Sequence, residues 1–253
     1  MHELKPHHYL QQLQPLRVPA GWTIGWNTFH AIPIPADGFS GSSLLYLLRH
    51  DRRLVIDVEW RPEFDPNGHY NYYVQRQPLR TDEPVDNDDE ILASAQSRSR
   101  EDVVAWLDTW LARSLVEAPP SDAEPTALER LHPLHLSSGW TIHRNAITAQ
   151  PPSPSTPPPT ESLLLFRAIA DQRRFRLDVL RQAETDGNVS YLIELLYAPY
   201  HRTERGRRRE DVPLTFDGEV RVMHRFVTTA YDELVRYLEA WLWRAAGWAV
   251  EGH

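Results

Sequence analysis

Four carboxylates, Asp57, Glu59, Glu63 and Asp65, crowd the stretch "DVEWRPEFD", and the first two lie at i and i+2, so a strand would put both on one face. Two carboxylates on a common face can hold a divalent cation, so the chemistry to weigh is metal-assisted hydrolysis using Asp57 and Glu59. The pattern is incomplete for that purpose. The lysine expected after such a pair is replaced by Arg61, and a similar stretch later in the chain, "RRFRLDVL", keeps Asp178 but has Leu180 where Glu59 would stand. The competing expectation is that Asp57 and Asp178 each make a cross-strand or turn hydrogen bond of the same kind.

Other short motifs lead less far. "DPNG" at 65–68 has the opening of a calcium loop without the remaining ligands, and reads as a turn. His132 and His135 in "HPLH" have a spacing that can bring two imidazoles together, but no third ligand is evident, so both read as surface histidines. His7 and His8 lie near the amino terminus. A Gly-rich phosphate loop, a nucleophile elbow and a zincin helix are all lacking from the sequence. With no Cys in the chain, thiolate chemistry and disulfides drop out. The residues thus lead us to expect no catalytic set, no metal and no cofactor.

The net charge of -8 and pI near 5.8 disfavour nucleic-acid and anionic-membrane binding, both of which need clustered positive charge, and they favour a basic partner. No apolar run approaches the roughly 18 residues of a membrane span, and the first residues lack a secretion signal, so a cytoplasmic location is expected. A hydrophobic content of 41%, with nine Trp, is enough to fill sizeable cores in 253 residues.

The chain also repeats itself. Lining up Leu13 with Leu131, 118 positions on, pairs Pro15 with Pro133, Gly21 with Gly139, Trp22 with Trp140 and Asn27 with Asn145. "RRLVIDV" from Arg52 then matches "RRFRLDV" from Arg173, Gly68 and Tyr72 match Gly187 and Tyr191, and "EDVVAWLDTWL" from Glu101 matches "DELVRYLEAWL" from Asp232. The order of blocks is kept, which implies a tandem duplication with repeats at 1–115 and 130–253, joined by a Pro-rich, acidic linker at 116–129.

Within each repeat the period is mostly that of strands. Leu54, Ile56, Val58 and Trp60 alternate with Arg53, Val55, Asp57 and Glu59, and Tyr70, Tyr72 and Val74 continue the inward face after the turn. Each repeat closes with a helix, whose stripe is Val103, Trp106, Leu107, Trp110 and Leu111 in one copy and Leu234, Tyr237, Leu238, Trp241 and Leu242 in the other. Ser99 with Asp102, and Thr229 with Asp232, read as helix caps. The fold class expected is α+β: two tandem copies of an antiparallel sheet unit, each covered on one face by its carboxyl-terminal helix. Gly21 and Gly139 would permit the turns that precede "GWTI".

The copies diverge most before the final helix. One has "TDEPVDNDDE", with Asp82, Glu83, Asp86, Asp88, Asp89 and Glu90 unrelieved by a basic residue, and the other has "HRTERGRRRE", with five arginines from Arg202 to Arg209. These runs are either solvated loops, loops that attract one another, or, for the acidic one, a surface for a basic partner.

"PAGWTIGWNTF", "LVIDVEWRPEFDPNGHYNYYV" and the Trp-bearing "EDVVAWLDTWL" together resemble small bacterial immunity-type proteins associated with polymorphic or contact-dependent toxin systems. Residues 13–115 carry the likeness, while the second half lacks "EWRPEFDPNG". The resemblance implies a non-enzymatic protein that binds and neutralises a cognate toxin domain. Its contacts would be Asp57, Glu59 and Tyr73 on the outward strand faces, together with the acidic run Asp82 to Glu90. A structural scaffold that self-associates through exposed Trp243 and Trp248 is a further expectation, which leaves a homo-oligomer open.

Overall fold

The computed structural model describes residues 13–31, 43–77, 89–116, 127–153, 159, 162–170, 174–184, 188–198 and 220–247. It is an α+β structure built on a single antiparallel sheet of ten strands. In chain order the elements are β1 (Thr23–Asn27), β2 (Ser43–Arg49), β3 (Leu54–Arg61), β4 (His69–Arg76), β5 (Glu90–Ser97), α1 (Arg100–Val116), β6 (Trp140–Asn145), β7 (Leu163–Ala170), β8 (Phe175–Ala183), β9 (Val189–Tyr197), β10 (Arg221–Thr228) and α2 (Tyr231–Gly247). Across the sheet they run β10-β9-β8-β7-β6-β1-β2-β3-β4-β5. β1–β5 and β6–β10 are each an ordered meander, and the two meet edge to edge at β1 and β6 within the one sheet.

The alternation read in β3 sets its faces. Ile56, Val58 and Trp60 are buried beside Tyr70, Tyr72 and Val74 of β4, and α1 lies over this face through Val103, Leu107 and Leu111. α2 covers the other half in the same way, with Leu234, Leu238 and Leu242 over Leu177, Val179, Ile193 and Leu195. All of these belong to one continuous core, and Trp22 and Trp140 are almost fully buried within it. Leu128, at the end of the expected linker, is buried in it too, on a single 3-10 turn.

The seam between the halves is nearly two-fold symmetric. Thr23 faces Thr141, with their hydroxyls 2.9 Å apart. The Gly21 amide donates to the Ile142 carbonyl at 2.7 Å, and the Gly139 amide donates to the Ile24 carbonyl at 2.6 Å. Leu16 and Leu134 exchange both backbone bonds, at 3.0 and 2.9 Å. Both glycines have positive φ, 95° and 90°, a conformation that suits a residue without Cβ. The repeated asparagines brace this seam: Asn27 Nδ2 donates to the Leu136 carbonyl, and Asn145 Nδ2 donates to that of Val18. Each of the two "GWTI" words, and each of the two asparagines, supplies one side of the joint.

Register corrects two details of the sequence reading. Trp60 faces Tyr70 and Arg181 faces Tyr191, so the counterpart of Tyr191 is Tyr70 and not Tyr72. The Ser99 cap is present, its Oγ accepting the Asp102 amide at 3.1 Å. At α2 the expected Thr229 cap is not seen among the described bonds; Thr228 Oγ1 donates to Glu233 and accepts the Ala230 amide just ahead of the helix, as Ser97 does with Asp102 and the Ser99 amide at α1.

Candidate functional site

Both helices lie on one face of the sheet, and among the described residues no helix covers the other face. Adjacent strands are spaced about 4.8 Å apart, so residues in register form transverse rows across this face. In the first half one row reads Trp26, Tyr46, Asp57, Tyr73 and Ser94, from β1 to β5. The row beside it reads Ser43, Glu59, Asn71 and Gln96. The predicted contacts Asp57, Glu59 and Tyr73 are thus brought together, and they are joined by two aromatic residues that sequence reasoning did not single out.

Trp26 is 50% exposed, and its indole N–H donates to the Ser43 carbonyl. Tyr46 lies over Gly25, where a Cβ would come within 3.0 Å of the Tyr46 ring and 2.8 Å of Leu48. The bulge between Ile24 and Trp26 turns Trp26 into register with Tyr46. Asp57 is half-buried, and its Oδ1 is closed to water without a hydrogen-bond partner. Burial, and secondarily the charge of Glu59, push its carboxyl up to about 6, while the Val58 amide, Arg61 and Ser43 offset this only in part. Glu59 is better provided for. Arg61 Nε donates to it at 3.0 Å, the same guanidinium reaches Glu63 at 2.8 Å, and hydrogen bonding to Glu59 adds to the burial that raises the Tyr73 phenol.

The corresponding row of the second half is Arg144, Arg167, Asp178, Glu194 and Arg225. Here the carboxylate is answered within the chain. Arg167 donates from Nε and Nη2 to the two oxygens of Asp178, each at 2.8 Å, and Arg176 Nε lies 3.1 Å from the second oxygen. Arg225 Nε meets Glu194 at 2.8 Å. The expectation that Asp57 and Asp178 share one kind of hydrogen bond is overturned, because the two arginines around Asp178 correspond to Tyr46 and Val55 in the first half. Ser43, Glu59, Asn71 and Gln96 are likewise replaced by Leu164, Leu180, Leu192 and Val227. Comparing the copies at Trp26 and Tyr46, which become Arg144 and Arg167, is the sequence signal that would have found these two residues.

Of the acidic run, Asp82, Glu83, Asp86 and Asp88 lie outside the described residues. Asp89 is exposed, and its charge helps raise the Tyr46 phenol, after burial and Asp57. Glu90 begins β5 and pairs with Arg76 at 2.9 Å, so it is not unrelieved as expected. The arginine run at 202–209 is likewise outside the described residues, as are His7, His8 and Trp248.

Three other expectations come out as follows. The "DPNG" turn forms, with Asp65 Oδ1 accepting the Asn67 amide and the Asp65 carbonyl accepting the amide of Gly68 and the indole N–H of Trp60. His132 and His135 are half-buried, and His135 meets α2 through Glu239. His135 Nδ1 lies 2.8 Å from Glu239, and burial lowers His132. Trp243 is half-buried on α2 and not exposed.

Among the described residues no group of three or more His, Asp or Glu stands close enough to hold a metal ion, and no helix is long and apolar enough to cross a membrane. Comparisons of the chain with protein-family models, curated proteins and solved structures return no match.

Proposed function

We propose that the chain is a binding protein of the immunity type, which neutralises a cognate toxin domain without catalysis and uses the helix-free face of β1–β5 to do so. One observation carries the reading: Asp57 forms no ion pair with a described residue and is flanked by Trp26, Tyr46 and Tyr73, whereas its counterpart Asp178 is held by the chain's own arginines. Aromatic residues beside an unanswered acid suit a basic protein surface, since Trp and Tyr contribute large rigid contacts and charge complementarity speeds encounter. The exposed Asp89 adds negative charge near Tyr46, and Asp82, Glu83, Asp86 and Asp88, which precede it in sequence, are further contacts in this reading. In this reading the chain is a fused pair of one α+β unit, with the second copy acting mainly to complete the sheet.

The test is to search the genes beside this one for a toxin domain and to measure its association with the chain. Neutralising Asp86, Asp88, Asp89 and Glu90 together should slow association about tenfold at low salt and flatten its salt dependence. Failure of the intact protein to bind that toxin or to protect cells from it would overturn the reading. A divalent-cation site at Asp57 and Glu59, as in a hydrolase, is the second reading, favoured by the mutual repulsion of these two carboxylates. Titration with Mn²⁺ by calorimetry separates the two, since heat that is lost in Asp57→Asn would support the hydrolase.

A further inference from the structure

The helix-free face presents the same aspartate twice, and only one of the two is paired. Beside Asp178, Arg167 stands directly across the strand pair on β7, and Arg176 stands two residues earlier on β8. The fork of Arg167 lies along both carboxylate oxygens at 2.8 Å. Around Asp57 the same two places hold Tyr46 and Val55, no ion pair forms with any described residue, and Oδ1 is dehydrated without a partner. A carboxylate that loses water at one oxygen and is offset only in part, by the Val58 amide, the Ser43 hydroxyl and the charge of Arg61, is poised to gain from a cation that arrives.

We infer that Asp57 seats an arginine side chain of the basic partner, whose guanidinium takes the place that Arg167 fills beside Asp178. This rests on the reading of the face as a partner-binding surface and adds which side chain of the partner is recognised there. The internal counterpart shows what the geometry accepts, a planar fork meeting two oxygens at once, which an ammonium cannot reproduce. The flanks agree. Tyr46 and Tyr73 stand on the neighbouring strands on either side of Asp57, where their rings can lie against a guanidinium plane, and Gly25 leaves room for the Tyr46 ring. Glu59 does not compete for the ligand, being held by Arg61, yet its charge deepens the negative potential at Asp57. Among the described residues no helix covers the sheet at Asp57, which is half-buried, and the exposed Trp26 stands in the same row.

The experiment uses the full chain and two labelled probes, nona-arginine and nona-lysine, with binding followed by fluorescence anisotropy at low salt. Nona-arginine should bind at least about fivefold more tightly than nona-lysine. Asp57→Asn, which keeps the shape, and Tyr46→Arg, which copies the second half, should each weaken nona-arginine about tenfold and remove most of its advantage. Gln96→Arg adds the same charge at the exposed β5 edge and should change binding less than about threefold. Thermal unfolding of each variant checks that it is folded. If nona-arginine binding is unmoved by both Asp57→Asn and Tyr46→Arg, the arginine seat is overturned while the partner-binding reading stands. If the wild type binds neither probe, or binds both equally, the seat is overturned as well. The broader reading falls only if the cognate toxin itself is not bound.

Discussion

Asp57 and Asp178 occupy one position of the same strand pattern, and their surroundings give them opposite electrostatic settings. Burial and Glu59 raise the Asp57 carboxyl from 3.8 to about 6, so the folded state holds this proton more tightly than the unfolded chain does. The stability contributed by protonated Asp57 is therefore fully present below about pH 4 and is lost as pH rises through about 6. Because the side chain is partly solvated, screening reduces the loss to about 1–2 kcal/mol. Asp57→Asn should be more stable than wild type by that amount at pH 7.5, with the difference vanishing near pH 4, as measured by urea unfolding at the two values. A constant difference across that range would remove the electrostatic cause. At this scale the sequence disclosed which residues lie on the outer face, because parity alone decides it. It did not disclose that Asp57 is unpaired, since pairing depends on Tyr46 and Val55, which come from the cross-strand neighbour and from two residues upstream.

Among the elements, β1 and β6 do most to fix the architecture. Each repeated asparagine spans the seam with its amide nitrogen, and its Oδ1 holds the backbone two residues on, at Phe29 or Ile147. Truncation leaves two buried backbone groups unmet, so Asn27→Ala and Asn145→Ala should each cost about 2–3 kcal/mol. The double variant should lose less than or more than the sum, because both act on one seam; strict additivity in denaturant unfolding would show that the two braces work independently. The helices and most strands were legible from their periods, as the burial of Val103, Leu107 and Leu111 illustrates. The pairing of the copies was not, because a period reveals which face is apolar and says nothing about which edge meets which. The misplaced Tyr72 match and the misassigned Thr229 have a related cause. Similar residues recur one or two positions apart, and only hydrogen-bond register separates them.

On the scale of the whole molecule, one core runs beneath all ten strands, and Trp22 and Trp140 lie within it. Two copies with separate cores would unfold separately, whereas a shared core couples them. The described structure predicts one transition, with far-UV dichroism and Trp fluorescence coinciding in urea; two resolved steps would mean that the halves retain independent stability. The acidic and arginine-rich runs, which set the copies furthest apart in sequence, lie mostly outside the described residues, so the charge contrast that can be followed in the structure is the one across the open sheet face.

The near two-fold seam also bears on how the chain is made. β1 is synthesised 118 residues before the strand segment that completes it, a delay of roughly 6 to 24 s at ordinary elongation rates. Through that interval β1 has its β2 edge available for pairing while the opposite edge, flanked by Trp22 and Ile24, has no strand to meet. Because the joint is nearly two-fold, the β1 of a neighbouring nascent chain offers that edge the same Gly-Trp-Thr-Ile pattern as the chain's own β6. Ribosomes spaced closely on one message would then favour pairing between chains over pairing within one, so the yield of monomer should depend on how densely the message is translated.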